Sequence, residues 1–165
     1  MSLAELNALS ANEALQKLLD CCHCERWAQL MLRQRPYASS YILQMSAEHI
    51  WRSLTDTEWL EAFAAHPKIG DLSSLHKKFS STRSLAAKEQ QGADGADEKT
   101  LGELALLNRK YEEKFGFTFI VFATGKTADQ MLEILRSRFN NAREQELNIA
   151  AEEQFKIMRL RLEKL

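Results

Sequence analysis

A chain of 165 residues, 45% of them hydrophobic, is long enough to bury one sizeable core. Its 22 basic and 23 acidic residues leave a net charge of −1, so nothing electrostatic points to nucleic acid or a membrane surface. No apolar run approaches the ~20 residues of a bilayer span, and Met1–Leu6 has no basic stretch ahead of an apolar block, which makes the cytoplasm the default expectation.

Six glycines and two prolines among many Leu and Ala residues predict an all-α protein, a single-domain multi-helix bundle over residues 1–165. The first helix is expected near 3–8. Ser10 with Glu13 three residues later forms a capping-box pattern that opens a second helix near 11–20. Cys21, Cys22 and Cys24 then crowd around His23. On a helix, neighbouring side chains diverge by about 100° and do not close one tetrahedron, so free buried cysteines are expected there and no metal site. A third helix runs over 23–34 and stops before Pro36, because the residue preceding a proline avoids the helical region. A fourth is expected over 39–53, and Thr55 with Glu58 opens a fifth over 56–65.

From His66 to Thr82 the chain is a long polar loop, the kind of segment that carries function in a compact domain. A short helix follows near 83–91. After a Gly-Ala-Asp turn, Asp97 caps a helix over 98–115, with Leu104, Leu107, Tyr111 and Phe115 on one stripe. Phe117–Phe122 is aromatic and β-branched, which favours extended chain. A lone strand leaves its ladder unsatisfied, so this segment is either buried extended chain or the start of a helix. Thr127 and Gln130 open a helix over 128–139. The last helix, 143–164, places Ala151, Phe155, Met158, Leu162 and Leu165 on one face.

His66 stands out as a candidate acid/base. It lies between a helix end and the stiff Pro67, and imidazole titrates near neutrality. The plainer alternative is a histidine that caps the preceding helix. Glu89 can raise the pKa of a histidine and fix its tautomer, and Gln90 offers both donor and acceptor to an amide-rich ligand; the alternative is a solvated Lys-Glu-Gln-Gln face. Arg161, next to apolar Leu162, can reach inward and bind a carboxylate; the alternative is an ordinary surface arginine. Gly125-Lys126-Thr127 looks like the tail of a phosphate-binding loop, but position 120 is Ile where the upstream glycine would stand, which excludes that motif.

Three motifs in this order carry a family resemblance: Phe63-Ala64-x-His66-Pro67-x-Ile69-Gly70, Glu89-Gln90-x-Gly92, and Phe115-Gly116-Phe117-x-Phe119. Arg26-Trp27, Arg35-Pro36 and Ile157-x-x-Leu160-Arg161-Leu162 extend it over nearly the whole chain. The sequence resembles the 2-oxo-4-hydroxy-4-carboxy-5-ureidoimidazoline (OHCU) decarboxylase family. That resemblance implies an all-helical fold and a carboxy-lyase of urate degradation that forms (S)-allantoin without metal or organic cofactor. It implies His66 as catalytic acid/base with Glu89 beside it, and substrate contacts from Pro67, Gln90, Arg161 and the chain at Ile120, Val121, Phe122 and Ala123. Relatives often carry a serine three residues before the glutamate; here that position is Ala86, so either Ser84 takes its place through a shift of the loop or the contact is lost. The chain ends Glu-Lys-Leu, one residue away from the Ser-Lys-Leu peroxisomal address. A homodimer is the family expectation, although the apolar stripes serve equally as internal core. Two rivals remain: a non-catalytic helical interaction module, with an exposed apolar groove, and a hydrolase or cyclase acting on a related ureide.

Overall fold

The computed structural model describes residues 1–67 and 94–165. Among them the chain forms eight helices, named here α1 (Leu3–Ala8), α2 (Ala11–Cys21), α3 (Glu25–Arg33), α4 (Ser40–Ser53), α5 (Asp56–Ala64), α6 (Asp94–Phe115), α7 (Ala128–Phe139) and α8 (Arg143–Glu163). The all-α expectation holds. The helix expected near 83–91 lies outside the described residues, as do Ser84, Glu89 and Gln90. The chain divides into two compact units, one of residues 1–65 and 151–165, the other of residues 66–150.

Local chemistry explains where the helices of the first unit start. Ser2, Ser10 and Thr55 each accept from the backbone N–H three residues on, and Glu5, Glu13 and Glu58 return the bond to the cap. These reciprocal bonds satisfy N–H groups that a helix start otherwise leaves without partners. Trp27 and Trp51 are fully buried, and each indole N–H finds a backbone carbonyl, Ala47 at 3.2 Å and Ala151 at 2.9 Å. Apolar rings of this size supply much of a core's burial, and a partnered N–H removes the polar cost. Leu18, Met31, Ala47, Phe63 and Met158 complete the packing.

Two expectations about local structure need correction. The cysteines do not all lie on a helix: Cys21 ends α2, but Cys22 is extended at φ −152°, ψ 114°, and extended Cys24 precedes α3. All three are free and buried, as expected, but they line a break between helices. The long helix of the second unit begins at Asp94, three residues before the cap read at Asp97. Its end is as expected: Gly116, at φ +80°, takes the left-handed conformation and donates its N–H back to Glu112 O at 2.8 Å.

The second unit packs α6, α7 and the first part of α8 around an aromatic centre. Tyr111 is fully buried, with Phe115, Phe117 and Phe119 at ring-centroid distances of 4.5, 5.9 and 5.3 Å. The Phe-Gly-Phe turn thus folds residues 117 and 119 back onto the end of α6.

Candidate functional site

His66 follows α5 directly, after the Ala65 cap, and is partly buried; Pro67 beside it is exposed. The helix end and the proline set the backbone on both sides of the imidazole, as the sequence suggested.

Residues 118–123 form neither helix nor strand. They are nonetheless well buried: Phe119, Ile120 and Val121 expose 3%, 2% and 6% of their surface, while Phe122 and Ala123 are partly buried. Cationic side chains take the place of a partner strand. Arg143 Nε donates to Phe115 O at 2.9 Å, Arg138 Nη1 to Ile120 O at 2.6 Å, and Lys126 Nζ to Phe122 O at 2.6 Å. Each cation also lies over a ring of the same segment: Arg143 over Phe117 at 5.7 Å, Arg138 over Phe119 at 4.6 Å and Lys126 over Phe122 at 5.4 Å. The amides of Ile120 and Val121 have no acceptor among the described residues. The result is a buried stretch of main chain whose Ile120 and Phe122 carbonyls are held by cations and whose Ile120 and Val121 amides are left over, an arrangement suited to ligand oxygens.

Arg138 is held by a buried network. Its Nε donates to Glu146 Oε1 at 2.8 Å; Tyr111 Oη donates to the same oxygen at 2.5 Å, and Asn141 Nδ2 to Oε2 at 2.9 Å. Glu146 is fully buried and Arg138 nearly so. Burial, and then the bond to Glu146, push the Tyr111 hydroxyl well above its usual pKa of 10.0, so it stays a donor. Sequence reasoning passed over Arg138 and Glu146. The signal was present, because Arg138 continues the buried Met131–Leu135 stripe of α7 and Glu146 lies four residues before buried Ala150 on α8. A charge at the next position of an apolar stripe is a buried charge that needs a partner.

Arg161 belongs to the first unit, where its exposed side chain donates to Cys21 O at 3.3 Å. A cleft of about 380 Å³ in the same unit is lined by residues including Leu3, Tyr41, Gln44, Arg159 and Leu165; none of the expected site residues lines it. Among the described residues, no three His, Cys, Asp or Glu side chains converge on a metal position. No described helix is long and apolar enough to cross a membrane.

A family model described as OHCU decarboxylase matches residues 7–163. The chain belongs to the OHCU decarboxylase family. Over 145 residues it is 36% identical to the uric acid degradation bifunctional protein TTL of Arabidopsis thaliana, covering 88% of this chain and 45% of that one. It is 27% identical over 164 residues to the 2-oxo-4-hydroxy-4-carboxy-5-ureidoimidazoline decarboxylase of Amia calva, covering 99% and 93% of the two chains. The chain spans less than half of the bifunctional relatives, 45% of the Arabidopsis protein and 32% of those from Bacillus sp. and Bacillus subtilis. Among solved structures, an OHCU decarboxylase crystallised in the presence of (S)-allantoin superposes with a TM-score of 0.70 at 36% identity, covering 90% of this chain and 95% of that one. An (S)-allantoin synthase, at TM-score 0.73 and 21% identity over 99% of this chain and 54% of its own, shares the fold. His66, the Glu89-Gln90 pair, residues 120–123 and Arg161 all fall inside the matched span, 7–163.

Proposed function

We propose that this chain is a carboxy-lyase of urate degradation that converts OHCU to (S)-allantoin and carbon dioxide. The observation that carries the reading is the family match over residues 7–163, nearly the whole chain. Support comes from relatives that are themselves named for uric acid degradation or for this decarboxylation.

The chemistry asks for little beyond polar groups in fixed places. OHCU bears its carboxylate on a ring carbon. When the bond to the carboxylate breaks and carbon dioxide leaves, the electron pair stays on that carbon and spreads onto the adjacent carbonyl or imine. That delocalisation makes an added electron sink unnecessary. One proton must then arrive on one face. His66, kept protonated by Glu89, delivers it. Pro67, Ser84, Gln90 and the main chain of Ile120, Val121, Phe122 and Ala123 orient the ureido and ring amides. Arg161 enters as a ligand contact on the resemblance alone. Proton delivery of this kind contributes about 10²–10⁴-fold to the rate.

Cytoplasmic location and a homodimer belong to the same proposal. Tyr41, Ile42 and Met45 of α4 expose 69%, 44% and 47% of their surface, an apolar strip that suits a second copy. The catalytic assignment is tested with His66→Ala and Glu89→Ala. Both variants should keep the helical circular dichroism of the parent and lose at least 10²-fold in kcat on OHCU. Parental turnover in both would remove the His/Glu pair from the reaction.

A further inference from the structure

The peptide between Ile120 and Val121 carries two groups whose directions are linked. Among the described residues the cis bond is Arg35–Pro36, so this peptide is trans. In a planar trans peptide the carbonyl and the following N–H point in opposite directions. Arg138 Nη1 grips the Ile120 oxygen at 2.6 Å. Whatever fixes that oxygen also aims the Val121 N–H away from Arg138.

Arg138 has little freedom to let go. Glu146 accepts its Nε at 2.8 Å, and the Phe119 ring lies 4.6 Å from the guanidinium carbon. Tyr111 and Asn141 fix the carboxylate in turn. A buried ion pair is a weak source of stability, because desolvation offsets most of the attraction. Its worth lies in geometry, and a planar guanidinium that bridges a carboxylate and a carbonyl defines geometry well. The group it orients is the one left over, since the Val121 amide has no acceptor among the described residues and Val121 is only 6% exposed. A buried donor without a partner is costly unless a ligand supplies one.

We infer that Arg138, held by Glu146 and Tyr111, is a positioning residue that aims the Val121 N–H at an oxygen of the bound ureide. The inference rests on the proposed role of residues 120–123 in binding substrate. It separates Arg138 from the reacting groups: Arg138 acts through the main chain and does not touch the ligand.

The test is a titration of the full 15N-labelled chain with (S)-allantoin, followed at the Val121 amide resonance, in the parent and in Arg138→Lys. Lysine keeps the charge for Glu146 but lacks the fork that reaches two acceptors. In the parent, the Val121 amide should move downfield on binding. In a folded Arg138→Lys that shift should be lost and the Kd for (S)-allantoin should rise about tenfold, the loss of one well-aimed hydrogen bond. A Val121 shift and Kd equal to the parent's would overturn the inference and leave the binding role of the segment standing. A parent Val121 amide that stays still while other resonances respond would overturn both. Should Arg138→Lys fail to fold, Tyr111→Phe decides, because it keeps the ion pair and the ring. A reduced Val121 shift with weaker binding supports the inference, and an unchanged titration overturns it.

Discussion

Cys21 shows how strongly its surroundings govern a single side chain. Burial pushes its thiol up from the ordinary 9.0 to about 11, against a smaller opposing effect of Arg161. Burial also raises Cys22, and it raises Tyr37 above its usual 10.0. These groups fold in the protonated form. Their contribution to stability is complete below the unfolded-state pKa and is lost as pH climbs through the folded one. The melting temperature should therefore fall steadily from about pH 9 to pH 11, and Cys21→Ala should fall less steeply; parallel curves for the two proteins would contradict this account. Glu146 makes the opposite case, a charge buried because it is fully partnered. Glu146→Ala strands the Arg138 guanidinium in the second unit and should cost about 3–5 kcal/mol in a urea unfolding curve. A loss below about 1 kcal/mol would mean that water or another carboxylate takes over.

Helix boundaries are set by a few residues, and there the sequence was informative. The Ser10/Glu13, Thr55/Glu58 and Thr127/Gln130 pairs all form reciprocal caps, because a capping box needs only residues three positions apart. Thr127→Ala should lower stability by about 1 kcal/mol in the same unfolding assay, without changing activity. Gly116→Ala should cost about 1–2 kcal/mol: at φ +80° nothing lies within 4 Å of an added Cβ, so the penalty is backbone strain alone. The break between α2 and α3 was legible only roughly: the sequence reading placed it at 21–22 and the structure places it at Cys22–Cys24, because no Gly or Pro marks its bounds. The extended segment was half legible. Its aromatic and β-branched run announced non-helical chain, but the hold on its Ile120 and Phe122 carbonyls by Arg138 and Lys126 depends on side chains up to 18 residues away. Pattern within one element cannot reveal partners that only tertiary packing brings together. Likewise His66 was singled out by its own neighbours, whereas for Glu89, Gln90 and Arg161 residue type only allowed a role and the family resemblance chose it.

For the molecule as a whole, the sequence pointed to the all-helical class and the family match confirms the membership, while assembly and reaction stay with the proposal. If the exposed strip of Tyr41, Ile42 and Met45 meets a second copy, sedimentation should give a dimer for the parent and a monomer for an Ile42→Glu, Met45→Glu variant that melts normally. A parent that sediments as a monomer would contradict the assembly, and a variant that stays dimeric would place the interface elsewhere. The activity is tested most directly by circular dichroism of freshly generated OHCU with and without the purified chain. Uncatalysed decay yields racemic allantoin and no lasting signal. With the chain present, a fast rise to a persistent signal of the S enantiomer is expected, reporting carbon dioxide loss and one-face protonation in a single trace. An unchanged decay to racemic product would contradict it, and the helical fold would then serve binding or a related ureide.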